Sequence, residues 1–247
     1  MTDTTTVMSA VAPVAEGEFR IGRVFSQTVT LLSRNFPIYF VVAALAALPA
    51  VVLEHSGAQK GGAGQLLGFV LMAVLGPLSQ AIMMHAASQD MRGYPVSLSE
   101  SVRFGLGRWL PLVGLSICLG LAIGMGFLLL IVPGFILMAM WYVATPACIV
   151  ERLGVSASFA RSSALTKGHR WQVFGMMLLI AIPEVVIAAV IKAALGLTGS
   201  AGLVMSGSLV WAGLAGAFGA IFVVAIYHDL RAAKEGVDVS HLAAVFD

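Results

Sequence analysis

From Trp109 to Val150 the chain contains no Asp, Glu, Lys, Arg or His. A helix of roughly 40 residues is about 60 Å long, twice the thickness of a bilayer core. The run therefore predicts two membrane spans rather than one. The break is expected at Val132-Pro133-Gly134, because Pro removes a backbone donor and Gly permits a tight turn. That places spans at about 110–131 and 133–150.

Composition points the same way. Hydrophobic residues make up 59% of the chain, charged residues only 11%, and the mean hydropathy is +0.96. A soluble domain is about a quarter charged, so this chain cannot cover a water-facing surface. A net charge of +2 supplies no basic face for nucleic acid, and no nucleic-acid partner is expected. Cys118 and Cys148 both lie in apolar stretches and read as small buried hydrophobes rather than a pair. No Cys/His cluster has metal-ligand spacing, and no cofactor is expected.

The other elements follow in order. Residues 1–18 are small and polar and read as a cytoplasmic tail without a signal peptide. In residues 19–35, Ile21, Phe25, Val29 and Leu32 recur at helical steps, with Arg20, Arg23 and Arg34 as polar cover. That pattern predicts an amphipathic interfacial helix. The first span is expected at about 36–53 and the second at about 65–88, joined by a glycine-rich loop from Glu54 to Gly64. Ser97 and Glu100 stand at capping-box spacing, so a second surface helix should start at Ser97. A third surface segment runs from Glu151 to Trp171. Spans five and six are expected at about 172–195 and 202–227, and residues 231–247 form a second cytoplasmic tail.

Charge sets the orientation. Of the 14 Lys and Arg residues, all but Lys60 and Lys192 fall before span one, between spans two and three, between four and five, or after six. The positive-inside rule then places both termini in the cytoplasm and requires an even number of spans. The expected fold is all-α, a polytopic membrane protein with six transmembrane helices and amphipathic cytoplasmic helices, in a bacterial inner membrane. Three basic-aromatic junctions, Arg34-Asn35-Phe36, Arg108-Trp109 and Arg170-Trp171, suggest a threefold repeat of surface helix plus two spans. Generic interface chemistry predicts the same junctions.

Polar groups inside the spans are few. Glu184 follows Pro183 half-way along span five, where an ionisable side chain is costly and marks a functional site or a structural hydrogen bond. With Gln80 it forms the candidate intramembrane polar site. Gln80 also reads as an inter-helix hydrogen bond, His85 as an interface residue, Lys192 as a snorkelling lysine, and His228 and Asp229 as solvated termini. Ser208, Ala212, Gly216 and Ala220 in span six, and Gly120 and Gly124 in span three, form small-residue stripes that predict close helix packing. Arg103, Arg108, Arg161, Lys167 and Arg170 are the candidate lipid-headgroup contacts.

The segment after Pro133-Gly134 combines a proline in the fourth span, Pro146, with Glu151 and Gly154. Arg161, Ser162, Leu165, Thr166, Gly168 and Trp171 follow, and Tyr227-His228-Asp229-Leu230-Arg231 closes the last span. This pattern resembles the bacterial glycerophosphoryl diester phosphodiesterase membrane-domain family, by motif over the last half of the chain and by hydropathy over the rest. The resemblance implies a stand-alone membrane part. The phosphodiesterase barrel joined to it in some members is not expected here, since about 20 residues follow span six. No nucleophile elbow, His-Glu-x-x-His or phosphate-binding glycine loop occurs, and no enzyme is expected. Two functions are then in view. One is a scaffold or accessory protein that contacts anionic lipid through its basic helices and packs against a second copy or another membrane protein. The alternative is a small-molecule or ion transporter or channel with Glu184 at its polar site.

Overall fold

The computed structural model describes residues 21–55 and 62–235. The tail 1–18, Lys60, most of the glycine-rich loop and residues 236–247 lie outside the described residues. Ten helices follow one another among the described residues, with no strand. They are α1 (Ile21–Arg34), α2 (Phe36–His55), α3 (Gly62–Met91), α4 (Leu98–Gly107) and α5 (Trp109–Leu129). After them come α6 (Ile131–Trp141), α7 (Ala144–Val150), α8 (Val155–Thr166), α9 (Arg170–Gly196) and α10 (Ala201–Glu235). Six stretches are long and apolar enough to cross a membrane: α2, α3, α5, α6 with α7, α9 and α10. The chain is thus an all-α, multi-pass membrane protein. Its element order repeats one short helix followed by an apolar pair: α1 before α2–α3, α4 before α5–α7, and α8 before α9–α10.

Local chemistry accounts for most boundaries. Ser97 caps α4, its Oγ accepting from the Glu100 backbone N–H at 3.4 Å. The turn between α5 and α6 falls at Leu130, which is extended at φ −162°, two residues before the expected break. Pro133 lies instead in the first turn of α6, where its missing N–H has no intrahelical partner to lose. Gly126 and Gly134 make the tight turn possible. A Cβ on Gly126 would stand 3.1 Å from the Gly134 Cα, and one on Gly134 would stand 2.5 Å from the Phe127 ring. The expected fourth span is not one helix. It breaks at Tyr142-Val143 into α6 and α7. α10 continues past the expected end of span six through Glu235, the helical extension that the charged stretch from His228 suggests.

Lipid tails are as apolar as leucine, so burial of apolar surface does not by itself drive helices together in a bilayer; close packing of small residues does. α10 lies closest to α2 on that principle. A Cβ at Gly213 would meet the Phe40 ring at 2.8 Å, and one at Gly216 would meet Ala43 at 3.4 Å. Gly120 and Gly124 of α5, by contrast, have no neighbour within 4 Å, so that stripe packs against nothing within the described residues.

The densest packing lies at one end of the bundle, called here the near end, where α1, α4 and α8 sit. Tyr39, Met84, Leu112, Leu115 and Ile221 are fully buried in one cluster there, and Val24, Leu165, Met176, Phe222, Tyr227 and Leu230 in another. Ion pairs tie α1 to this core. Arg23 meets Asp229 at 3.4 Å and Arg34 meets Asp90 at 3.6 Å. Asp229 is only 5% exposed, so it is not the solvated terminus expected from its position. His228 differs in the same way: its Nε2 is buried with no hydrogen-bond partner among the described residues. At the opposite, far end, Thr198-Gly199-Ser200 joins α9 to α10.

Candidate functional site

Glu184 and Gln80 face the same space. Between α2, α3, α9 and α10 lies a cavity of about 440 Å³ that extends toward the far end. Between α3, α6, α9 and α10 lies a second, of about 420 Å³, toward the near end, walled by Tyr142, Thr145 and Met177. Gln80, Glu184, Ala215 and Gly216 line both. The two polar side chains therefore stand on the wall that the two cavities share. Neither hydrogen-bonds to any described residue. Glu184 is exposed to these spaces, as is Gln80.

Sequence placed them there through proline. Pro77 lies one turn before Gln80, and Pro183 directly precedes Glu184. A proline inside a helix cannot donate to the carbonyl four residues earlier, so the carbonyls of Ala73 and Leu179 lose their helical partners. Both helices run unbroken through their prolines, and Gln80 and Glu184 follow in the turns next to these freed carbonyls. Small residues open the space: Ala43, Ala46, Ala47 and Ala50 of α2 face Ala212, Ala215 and Gly216 of α10.

Further polar groups converge on the pair. Ser208 lines the far cavity with its Oγ buried and unpartnered among the described residues, while the Ser79 hydroxyl donates to the Gly76 carbonyl at 2.8 Å. Lys192 and Glu54 pair at 2.6 Å on the wall of the far cavity. Lys192 is therefore more than a snorkelling lysine. A third space, about 630 Å³, reaches Glu184 from the lipid side between α1, α9 and α10, past Phe25, Leu32 and Trp211. His85 does not join the site. It stacks on Phe104 at 4.2 Å, with Nδ1 3.3 Å from the Ser101 Oγ.

The motif residues that carry the family resemblance gather elsewhere, at the near end. Glu151 accepts from Arg161 Nε at 2.7 Å and from the Tyr227 hydroxyl at 2.6 Å. Arg161 also pairs with Glu235, which accepts from Arg231 at 2.6 Å. Burial works against the Arg161 charge, but the hydrogen bonds to Glu235 and Glu151 outweigh it and hold the guanidinium above its ordinary value. Ser162 and Thr166 both donate to the Met140 carbonyl, at 2.9 and 3.1 Å. Gly154 caps α8, Gly168 takes φ +90°, and Pro146 is buried in α7. This is a clasp that fastens α7 and α8 to α10.

The five candidate headgroup cations separate accordingly. Arg161 is held in the clasp, and Arg108 donates to the carbonyls of Arg152 and Leu153, both at 3.0 Å. Arg103 and Lys167 are exposed and pair with no described residue. Arg170 is half-buried beside an exposed Trp171. Sequence reasoning missed Ser208, Tyr142, Thr145 and Glu54 as cavity residues. Ser208 gave a signal, as the one hydroxyl on a stripe otherwise of Ala and Gly. Both cysteines are free; Cys148 is buried as expected, but Cys118 is exposed and is not the buried hydrophobe expected, and among the described residues no His, Cys, Asp and Glu cluster is arranged to hold a metal. No family model, curated protein or solved structure matches this chain.

Proposed function

We propose that the protein is a non-enzymatic inner-membrane protein that takes a small solute or ion between α2, α3, α9 and α10 and passes it across the bilayer. One observation carries the reading: Gln80 and Glu184 stand together on the wall shared by two cavities, one directed toward each end of the bundle. A carboxylate without a protein partner in a low-dielectric space is costly. A bound cation or a hydrogen-bonding solute supplies the missing partner, so Glu184 is the binding group and Gln80 the orienting one. The excess of Lys and Arg at the near end, with α1, α4 and α8, favours a cytoplasmic near end. The Lys192–Glu54 pair lies along the outward route and must part for a solute to pass.

A different observation supports a second reading, a scaffold that contacts anionic lipid and a second copy or another membrane protein. Arg103 and Lys167 are exposed at the near end without partners among the described residues. One experiment separates the two: native mass spectrometry of the full chain extracted gently from its own membrane. A small solute retained by the wild type and lost in Glu184→Gln supports transport. A retained protein partner or lipid-loaded oligomer, with no solute, overturns it in favour of the scaffold.

A further inference from the structure

α6 and the first turn of α9 enclose a groove of about 390 Å³. Val132, Phe135 and Ile136 of α6 and Phe174 of α9 make its walls apolar, and Arg170 and Trp171 stand at one end. The Arg170 Nε is buried without a hydrogen-bond partner among the described residues, and Trp171 is 85% exposed. Arg170 as a whole is half-buried on the groove wall, and no acceptor among the described residues meets its charge.

Covalent reach fixes the depth of the groove. The last turn of α6 is tied to α8, through the Met140 carbonyl and through Trp141 Nε1, which donates to Ser163 at 3.2 Å. From Met140 back to Ile131 is about 14 Å of helix, whereas Arg170 to Lys192 along α9 is about 33 Å. The turn between α5 and α6 lies beside the first turns of α9, where Val132 and Phe135 share the groove with Arg170 and Phe174. The aromatic contacts agree: the Phe135 ring meets Phe174, only one turn into α9, at 5.4 Å. The turn is also built for oil rather than water. Leu128, Leu129, Leu130, Ile131 and Val132 are 88, 75, 68, 68 and 66% exposed, with no polar side chain among them. The Thr198-Gly199-Ser200 connection at the far end is polar by comparison.

We propose that this groove seats one anionic phospholipid of the near-end leaflet, with its phosphate on Arg170 and an acyl chain along Phe174, Phe135 and Ile136 toward the apolar turn. The planar guanidinium fork matches a phosphate, and Trp171 takes the headgroup level that tryptophan prefers. The site differs from a general headgroup contact by Arg103 or Lys167, because it has walls for the chain as well as a cation for the phosphate. It is independent of the Glu184 cavities.

The test reconstitutes the full chain in vesicles of equal phosphatidylglycerol and phosphatidylcholine, re-extracts it in detergent, and counts bound lipid by mass spectrometry. Phosphatidylglycerol is expected to be enriched about fivefold, the preference that one cation gives an anionic over a neutral lipid, because phosphatidylcholine carries the same phosphate but offsets it with its own choline. Arg170→Gln should abolish the enrichment and Arg103→Gln should leave it. Ile136→Trp, which fills the groove without touching charge, should also abolish it, and decides the matter if Arg170→Gln fails to fold. Equal retention of the two lipids, or enrichment surviving in Ile136→Trp, overturns the site. Depth is read separately, in a Cys118→Ser, Cys148→Ala background. An impermeant maleimide on the far side should label Thr198→Cys and spare Leu130→Cys. Equal labelling of both overturns the position of the turn beside the start of α9 and the leaflet assigned here.

Discussion

Glu151 and Glu184 are the same residue type on neighbouring parts of one bundle, and the structure treats them in opposite ways. Glu151 is filled: Arg161 and Tyr227 both donate to its Oε1, and its side chain is 18% exposed. Glu184 faces two cavities and a lipid-side space with no hydrogen bond to a described residue. The contrast teaches that an acidic residue in an apolar chain signals a constraint but not which kind. Partners decide, and partners come from distant sequence. Glu151 is structural because Tyr227 reaches it from 76 residues away. Glu184 is available because the polar groups that share its cavities, Gln80, Tyr142, Thr145 and Ser208, do not hydrogen-bond to it.

The comparison breaks first, if it is wrong, at the clasp. Glu151→Ala removes the acceptor of two hydrogen bonds and leaves Arg161 with Glu235 alone. Each bond to a charged group is worth about 1.5–3 kcal/mol, and partial exposure lowers the total to about 3 kcal/mol. Thermal unfolding in detergent reads the loss. An unchanged midpoint means that Glu151 is as free as Glu184. Arg161→Lys sharpens the point. Lysine keeps the charge but cannot bridge two carboxylates with a planar fork, so about 1 kcal/mol should be lost where a pure charge effect predicts none.

Much of this was legible in the chain. The apolar stretches marked the helices of the bundle, Ser97 and Glu100 marked the start of α4, and Pro183 drew attention to Glu184, whereas Gln80 read first as an inter-helix hydrogen bond. What remained hidden has one physical cause: it depends on pairings remote in sequence. The break at Tyr142-Val143 lies inside an unbroken apolar run, and the Met140 carbonyl just before it is held by Ser162 and Thr166 rather than by any local signal. Arg108 and Arg161 look like surface cations until their acceptors are placed beside them. Lys192 reads as a lone snorkelling lysine because Glu54, its partner, is 138 residues away.

That far-end pair provides the next, smaller test. Lys192 and Glu54 are each 47% exposed, and such pairs contribute about 0.2–1 kcal/mol. Lys192→Met should therefore shift the unfolding midpoint little. If the pair lies on the outward route, the same variant should speed exchange of whatever solute the protein retains. A large loss of stability without a change in exchange would make it a second clasp and leave the far cavity without a gate.

The smallest expected effect on stability belongs to Glu184→Gln, and it decides most. Glutamine keeps the size and the hydrogen-bonding end of the side chain and removes only its ability to carry charge. If Glu184 were fastened as Glu151 is, losing the charge would cost stability on the scale of the clasp. With no partner to lose, the change should stay within about 0.5 kcal/mol, and removing a costly charge can even raise the midpoint. Binding should respond in the opposite way, with the retained solute lost although the fold is intact. Glu184→Leu extends the logic. It fits the surrounding apolar walls, so it too should fold while failing to bind. A stability loss in both variants that matches Glu151→Ala would place a hidden partner on Glu184 and make the two carboxylates alike. Stability kept and binding lost would leave the chain with one carboxylate for structure and one for cargo.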